Sequence, residues 1–204
     1  MRLQPKDIVI GVTLLLLIVF SQSIDKKEVP NPSKENETVS EQPTTQKQNA
    51  QEVTKAPSTA EIVTVHSVVD GDTVKVNYNG IIETIRLLLL DAPESVHPNK
   101  PVQPFGKDAS NYLKALLKEG KSVQLEIGNP QRDKYNRILG YIWVDGELLN
   151  EKLISYGYAM VAYIVPPNVK YLDQLLKAQE QAQLRKIGIW SIDGYVTESG
   201  YSDI

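Results

Sequence analysis

Five charged residues lie within a stretch whose other side chains are typical of buried strands. The stretch, residues 66–95 (HSVVDGDTVKVNYNGIIETIRLLLLDAPES), carries Asp70, Asp72, Arg86, Asp91 and Glu94 among Val, Ile and Leu. An unpaired buried carboxylate or guanidinium is costly, so these charges need partners. Either they form an ion pair that caps the end of a barrel, or they surround a charged ligand from outside.

The positions of Arg86 and Asp91 constrain the strand that joins them. Arg86 precedes four leucines, and Pro93 ends the strand shortly after Asp91. Strict alternation would place Arg86 and Asp91 on opposite faces of the strand. A site that uses both side chains therefore requires a bulge or bend within residues 87–90.

Two further segments have both a structural and a functional interpretation. Asp70-Gly71-Asp72-Thr73 is by itself typical of a tight turn between strands. Its spacing does not fit a calcium-binding EF-hand loop. Residues 131–137 (QRDKYNR) could be a solvated loop, yet Arg137 precedes the apolar Ile138-Leu139 much as Arg86 precedes its leucines.

The spacing of apolar residues predicts the elements that position these groups. Strands are expected at Ile62–Val69, Val74–Tyr78, Ile81–Leu89, Val123–Ile127 and Ile138–Val144. Asn79-Gly80 is a strong hairpin signal between the second and third of these strands. Helical spacing is expected over 109–117, 148–156 and 172–182, with Gly120 and Gly157 ending the first two. This order favours an α+β fold, a small closed β-barrel with packed helices.

Composition excludes several classes of function. The 204-residue chain has a formal net charge of −3 and no cysteine, which excludes disulfides, thiolate metal sites and cysteine nucleophiles. Seven of its 22 basic and 10 of its 25 acidic residues lie outside residues 61–190, so this body carries 15 of each. Any binding of nucleic acid must therefore come from a local cluster of charge.

The N-terminal residues 1–23 have the features of a targeting segment. Arg2 and Lys6 precede an apolar run, Ile8–Phe20, and Ser21-Gln22-Ser23 follows as a small-x-small cleavage site. The run is short for a membrane span and fits a signal peptide, while an uncleaved membrane anchor stays the alternative. Either way the body is expected outside the cell, secreted or tethered to the outer face of the membrane.

Residues 24–60 are polar and rich in Pro, Gln, Thr and Asn, which predicts a disordered linker. The folded domain is expected at 61–190, followed by a C-terminal tail at 191–204. A fragment of residues 58–192 is expected to fold by itself.

Four segments in register resemble the staphylococcal nuclease (thermonuclease) family. They are VVDGDTVKV, IRLLLLDAPES, RDKYNR and NEKLISYGYAMVAY, and the similarity covers residues 61–190, including the final IGIW. The resemblance implies a five-stranded OB-type β-barrel with three helices. It also implies a calcium-dependent phosphodiesterase that acts on DNA and RNA, expected here as a monomer.

The resemblance further implies a set of calcium ligands. The matching positions are the carboxylates of Asp72 and Asp91 and the backbone carbonyl of Ala92, with Asp70 in a supporting role. Hard oxygen ligands completed by water suit Ca²⁺. The family commonly has Thr where this chain has Ala92, which removes a hydroxyl and keeps the carbonyl.

Roles in catalysis and substrate binding follow from the same resemblance. Glu94 matches the residue usually assigned as general base, and Arg86 and Arg137 match two catalytic arginines suited to bidentate phosphate binding. The remaining matches are substrate contacts: Lys134, Tyr135 and Tyr163. Val165 and Pro166 depart from the Tyr and Lys that the family commonly has there, which bears on substrate affinity.

Two other classes of function compete with the enzyme. One is a catalytically silent nucleic-acid-binding module, and the other is an OB-fold that binds small molecules or oligosaccharides. The presence of both arginines and three carboxylates favours the enzyme. DNA against RNA preference and endo against exo action stay open from the sequence.

Overall fold

The computed structural model describes residues 55–96 and 101–203. The apolar run Ile8–Phe20 and residues 24–54 of the predicted linker lie outside this described part. The last linker residues, 55–60, form a turn closed by Ala60 N and Pro57 O at 3.0 Å. None of the helices in the described ranges has the length and apolar character needed to cross a membrane.

The described chain contains ten strands, three α-helices and one 3₁₀ turn. The strands are β1 (Glu61–Val68), β2 (Thr73–Tyr78), β3 (Ile81–Leu87), β4 (Leu90–Asp91), β5 (Ser122–Arg132), β6 (Ile138–Val144), β7 (Glu147–Leu148), β8 (Met160–Val161), β9 (Val196–Thr197) and β10 (Gly200–Tyr201). The helices are α1 (Gly106–Leu116), α2 (Leu149–Ser155) and α3 (Leu172–Leu184), and the 3₁₀ turn is Gly188–Ser191.

Five of the strands close into a barrel. The ladder runs β3-β2-β1-β5-β6, and a parallel pairing of β3 with β6 joins its two ends. That closing pair aligns Ile85 with Ile138 and Arg86 with Leu139, so the residues next to both predicted arginines are neighbours. The closed barrel and three helices confirm the predicted α+β, OB-type fold.

The hairpin at Asn79-Gly80 forms as predicted. Its two central residues have φ of 53° and 82°, and the strands pair from Tyr78 with Ile81 to Thr73 with Arg86. Both positions lie in the left-handed region that this tight turn requires and that Asn and Gly tolerate. The turn fixes the register that brings Arg86 beside Thr73.

The strand that carries Arg86 bends at the leucines that follow it. β3 ends at Leu87, Leu89 has a left-handed φ of 59°, and β4 then pairs with β8 outside the barrel. The predicted bend within residues 87–90 is thereby confirmed. The predicted strand to Leu89 is two residues too long for the same reason.

A buried amide holds this bend. Asn150, in α2, is fully buried; its Nδ2 donates to the Leu88 carbonyl at 2.9 Å and its Oδ1 accepts from Ile142 N at 3.3 Å. Each buried polar group left without a partner would cost about 1–3 kcal/mol. The amide therefore ties the bend both to β6 and to α2.

The three helices pack around the barrel: α1 contacts β1, α2 contacts β6, and α3 contacts α2. They pack on a core that fills the barrel and extends under α2 and α3, including Val74, Ile85, Leu125, Ile142, Leu153 and Leu175. α1 and α2 begin and end within three residues of the predicted limits. α3 extends two residues past its predicted end at 182.

The residues after the 3₁₀ turn form a hairpin of β9 and β10. Tyr195, just before it, is fully buried, and its hydroxyl donates to the Pro104 carbonyl at 2.8 Å. A fragment that ends at residue 192 would lack this buried ring and the hairpin.

Candidate active site

Arg86 lies at the end of the barrel with its guanidinium surrounded by oxygen. Its Nη2 contacts Asp72 Oδ2 at 3.0 Å and Asp91 Oδ1 at 3.2 Å. Its Nη1 donates to the carbonyls of Leu87 at 2.9 Å and Leu90 at 3.0 Å. These carbonyls face the guanidinium because the chain bends between them. The bend and the buried Arg86 side chain therefore depend on each other.

The turn from Asp70 to Thr73 positions the first carboxylate. Asp70 Oδ1 accepts from Asp72 N at 3.1 Å, and Thr73 Oγ1 donates to Asp72 Oδ1 at 2.8 Å. A Cβ on Gly71 would lie 2.7 Å from Ala92 Cβ, so only glycine lets the turn approach Ala92 this closely. The segment is thus a tight turn that also positions the Asp72 carboxylate.

The second group of acidic residues follows β4. The peptide between Asp91 and Ala92 points its N–H toward Asp72 Oδ2 at 3.4 Å. Gln103 forms two hydrogen bonds with the backbone of Glu94. Its Oε1 accepts from Glu94 N at 2.8 Å, and its backbone N–H donates to Glu94 O at 2.9 Å. Glu94 Oε1 accepts from Val96 N at 2.9 Å, which orients the carboxylate.

The acidic side of the site holds more negative charge than Arg86 balances. Burial, followed by the charge of Asp72, raises the pKa of Asp70 to about 6. The same two causes raise the pKa of Asp91 to about 6, although Arg86 acts in the opposite direction. Burial and the neighbouring carboxylate thus both disfavour the charged form of Asp70 and of Asp91, and a bound cation would favour it.

Arg137 is positioned from the other side by an acidic residue that the sequence did not single out. Asp133 Oδ2 accepts from Arg137 Nε at 2.7 Å, and its Oδ1 accepts from the backbone N–H of Tyr135 and of Arg137, both at 2.9 Å. Burial alone would raise the pKa of Asp133, but these hydrogen bonds hold it below its usual range. The only sequence signal for this role is its spacing of four from Arg137 within RDKYNR.

Two exposed tyrosines border the arginines. The Tyr163 ring lies 5.3 Å from the Arg86 guanidinium, and the Tyr135 ring lies 5.5 Å from that of Arg137 and 5.0 Å from Lys134 Nζ. Tyr163 is 65% exposed and Tyr135 is 68% exposed. Exposed rings of this kind offer flat apolar faces to a ligand.

All nine residues singled out from the sequence line one cavity of about 670 Å³. Its lining includes Asp72, Arg86, Asp91, Ala92, Glu94, Lys134, Tyr135, Arg137 and Tyr163, together with Asp70 and Asp133. Val165 is not among the lining residues. The cavity brings together segments that are up to 93 residues apart, from Asp70 to Tyr163.

The metal-binding capacity of the site rests on few acidic ligands. Within residues 55–96 and 101–203, no group of three or more His, Cys, Asp or Glu side chains is placed to hold a metal ion together. The predicted set has two carboxylates and one backbone carbonyl, all hard oxygen donors. Their chemistry fits Ca²⁺, which completes its shell with water.

Comparison with known proteins assigns the family. Residues 84–192 match the model of the family described as staphylococcal nuclease homologue. This chain is a member of that family. The family model begins just before Arg86 and includes the bend, the loop of Arg137 and Tyr163.

Individual relatives agree with the family assignment. The chain is 44% identical to a thermonuclease of Staphylococcus hyicus over 61% of its length and 72% of the relative. It is 49% identical to the SPbeta prophage-derived endonuclease YokF of Bacillus subtilis and 48% identical to endonuclease YncB of the same organism, each over 69% of the chain. The chain spans 47% of YokF and 66% of YncB, so it matches only part of these proteins.

The contacts of Asp133 predict how the loop of this nuclease homologue behaves when that carboxylate is removed. In Asp133→Ala, amide hydrogen exchange at Tyr135 and Arg137 should be faster by about 10-fold to 100-fold, because hydrogen bonds to a charged group contribute about 1.5–3 kcal/mol. Because the folded pKa of Asp133 is lowered, protection in the unsubstituted protein should persist above pH about 3.9 and fall only below it.

The matched control is Glu83→Gln. Glu83 forms a bidentate pair with Arg132 at 2.7 and 2.9 Å next to the same loop, but it does not line the cavity. Amides at Tyr135 and Arg137 should keep their protection in this variant. Equal exchange rates in all three proteins would mean that Asp133 does not order the loop.

Proposed function

We propose that the chain is an exported, calcium-dependent nuclease that hydrolyses the phosphodiester bonds of DNA and RNA. The observation that carries this proposal is one cavity lined by a cluster of carboxylates and by two arginines, one from β3 and one from the loop before β6. A phosphodiester needs both features, since its own charge requires cations and its attack by water requires a base. Relatives named endonuclease and thermonuclease support the proposal.

Asp72, Asp91 and the Ala92 carbonyl are the residues that would hold Ca²⁺. When bound, the ion supplies positive charge that draws the phosphate against an otherwise acidic surface. Asp72 and Asp91 each contact Arg86 through one oxygen, at 3.0 and 3.2 Å, so the carboxylates that would hold the ion also hold the guanidinium beside it.

Glu94 is the proposed general base. Its carboxylate accepts a proton from a water molecule as the water oxygen attacks phosphorus and the bond from phosphorus to the leaving oxygen breaks. The contacts from Gln103 and Val96 hold Glu94 for this role. A positioned base of this kind contributes about 10²–10⁴-fold to the rate.

Arg86 and Arg137 are proposed to bind the phosphate oxygens. Arg137 contacts Asp133 through Nε, so its terminal nitrogens can donate to the substrate. The planar fork of arginine matches two phosphate oxygens at once and stabilises charge that develops in the transition state.

Lys134, Tyr135 and Tyr163 are proposed to hold the rest of the nucleotide. Stacking of a base on an aromatic ring contributes about 1–3 kcal/mol. Val165 is 60% exposed and offers no ring where the family commonly has a tyrosine, so binding by this protein rests more heavily on Tyr163.

Export is proposed from the sequence of residues 1–23 alone. Cell fractionation with an antibody to the folded domain should find the protein in the medium or in the membrane fraction. N-terminal sequencing then separates the two alternatives, since a cleaved protein begins near Ile24 and an anchored one keeps the apolar run. Intact protein confined to the cytosol would contradict export.

The proposed reaction predicts distinct effects for three substitutions, measured as kcat on denatured DNA and as calcium affinity by calorimetry. Asp72→Asn should abolish or strongly weaken calcium binding. Glu94→Gln should leave calcium binding in place and lower kcat by about 10²–10⁴-fold. Arg137→Ala should lower kcat by about 10²–10³-fold, and Arg137→Lys should recover only part of it.

Lys75→Ala is a control for these substitutions, because this exposed residue of β2 does not line the cavity and should leave both measurements unchanged. Full activity in excess chelator would exclude calcium dependence. An Arg137→Ala variant with the kcat of the unsubstituted protein would contradict the catalytic role of Arg137. If the unsubstituted protein binds DNA but does not cleave it with calcium, the nucleic-acid-binding module is favoured instead.

A further inference from the structure

The segment after residue 192 contacts the candidate active site from outside the part matched by the family model. Its hairpin pairs Thr197 with Gly200 and Val196 with Tyr201, and Thr197 Oγ1 donates to the Gly200 carbonyl at 2.9 Å. Ser202 N donates to the Tyr195 carbonyl at 2.8 Å and closes the segment on itself. The 11 residues from 193 to 203 therefore form an ordered unit, which we call the C-terminal clasp.

Two tyrosines whose rings contact each other at a tilt of 35° attach the C-terminal clasp to the domain. Their rings, of Tyr195 and Tyr201, lie 5.2 Å apart. The Tyr195 hydroxyl donates to the Pro104 carbonyl at 2.8 Å, and the Tyr201 hydroxyl donates to the Asp91 carbonyl at 2.6 Å. The second bond joins residues 110 positions apart in the chain and ends on a proposed calcium ligand.

The peptide that Tyr201 contacts is held on both sides. Its carbonyl, from Asp91, accepts from the tyrosine, and its N–H, from Ala92, points to Asp72 Oδ2 at 3.4 Å. This peptide joins the proposed ligands Asp91 and Ala92. A shift of this peptide would move the two Cα atoms from which the Asp91 side chain and the Ala92 carbonyl extend.

We propose that Tyr201 is a positioning residue of the active site, which fixes the Asp91–Ala92 peptide so that its two ligands and Asp72 face one cation. The inference rests on the proposed calcium-dependent function. Tyr201 does not line the catalytic cavity, so it acts through Asp91 and not on the substrate. Partners behind metal ligands commonly contribute about 10–100-fold to metal affinity or activity.

Removal of one hydroxyl tests this role. In full-length Tyr201→Phe, calcium affinity measured by calorimetry should fall by about 10-fold, the lower end of that range. The matched control is Tyr195→Phe, which removes an equivalent hydroxyl from the same clasp but frees Pro104 instead of Asp91. Both variants should lose a few degrees of Tm, and Tyr195→Phe should keep the calcium affinity of the unsubstituted protein.

Tyr201→Phe keeps the ring that lies against Tyr195, so the fold of the clasp should survive the substitution. Thr197→Val is a second control, because it breaks a bond within the exposed hairpin and keeps both tyrosines. Its calcium affinity should equal that of the unsubstituted protein.

The outcomes separate the two proposals. If the unsubstituted protein binds calcium, and Tyr201→Phe binds it equally well with only a lower Tm, the hydroxyl is structural and the inference is wrong. An equal loss of calcium affinity in Tyr201→Phe and Tyr195→Phe would also overturn it, since the effect would then come from general loosening of the clasp. If the unsubstituted protein binds no calcium at all, the proposed calcium dependence fails first and the inference fails with it.

Discussion

A guanidinium buried at the end of the barrel is the constraint on which the rest of the site depends. Arg86 is about 10% exposed at its side chain and meets two carboxylates and two backbone carbonyls. The carbonyls are available only because the chain leaves the barrel after Leu87 and bends through Leu89. The barrel closure, the bend and the buried amide of Asn150 all help to place the Arg86 guanidinium beside the two carboxylates.

The two sides of the cavity differ in burial and in charge. The acidic side is fixed by buried contacts from the first turn, the bend and the C-terminal clasp. The opposite side, with Lys134, Tyr135 and Tyr163, is exposed and carries rings and cations. A buried carboxylate cluster facing an exposed aromatic and basic surface is suited to a ligand that is itself both anionic and aromatic, as a nucleotide is.

Much of this arrangement could be predicted from the sequence, because local signals are strong where short-range rules apply. The Asn79-Gly80 hairpin follows from turn chemistry, and the helices follow from apolar spacing. The bend after Arg86 follows because strict strand alternation would put Arg86 and Asp91 on opposite faces, whereas a shared site needs both on one side. The two arginines could be singled out because each directly precedes a run of apolar residues, and the resemblance to the family supplied their role.

The remaining features depend on contacts between distant residues. β5 runs to Arg132, five residues past its predicted end, because its pairing with β6 resumes after an irregular stretch. β4 and β8 are two-residue strands, and each is a strand only because it pairs with the other. The bond from Tyr201 to Asp91 crosses 110 positions, and no periodicity marks a single tyrosine as its donor.

The central claim is that the carboxylates gather a cation in order to bind a phosphate beside them. The direct test is the affinity of Glu94→Gln, which binds without rapid cleavage, for a fluorescent single-stranded oligonucleotide with calcium and with chelator. Calcium should tighten this binding by at least about 10-fold, within the usual range of coupling between two ligands, and the oligonucleotide should tighten calcium binding by the same factor. Equal affinity for the oligonucleotide with calcium and with chelator would contradict the account.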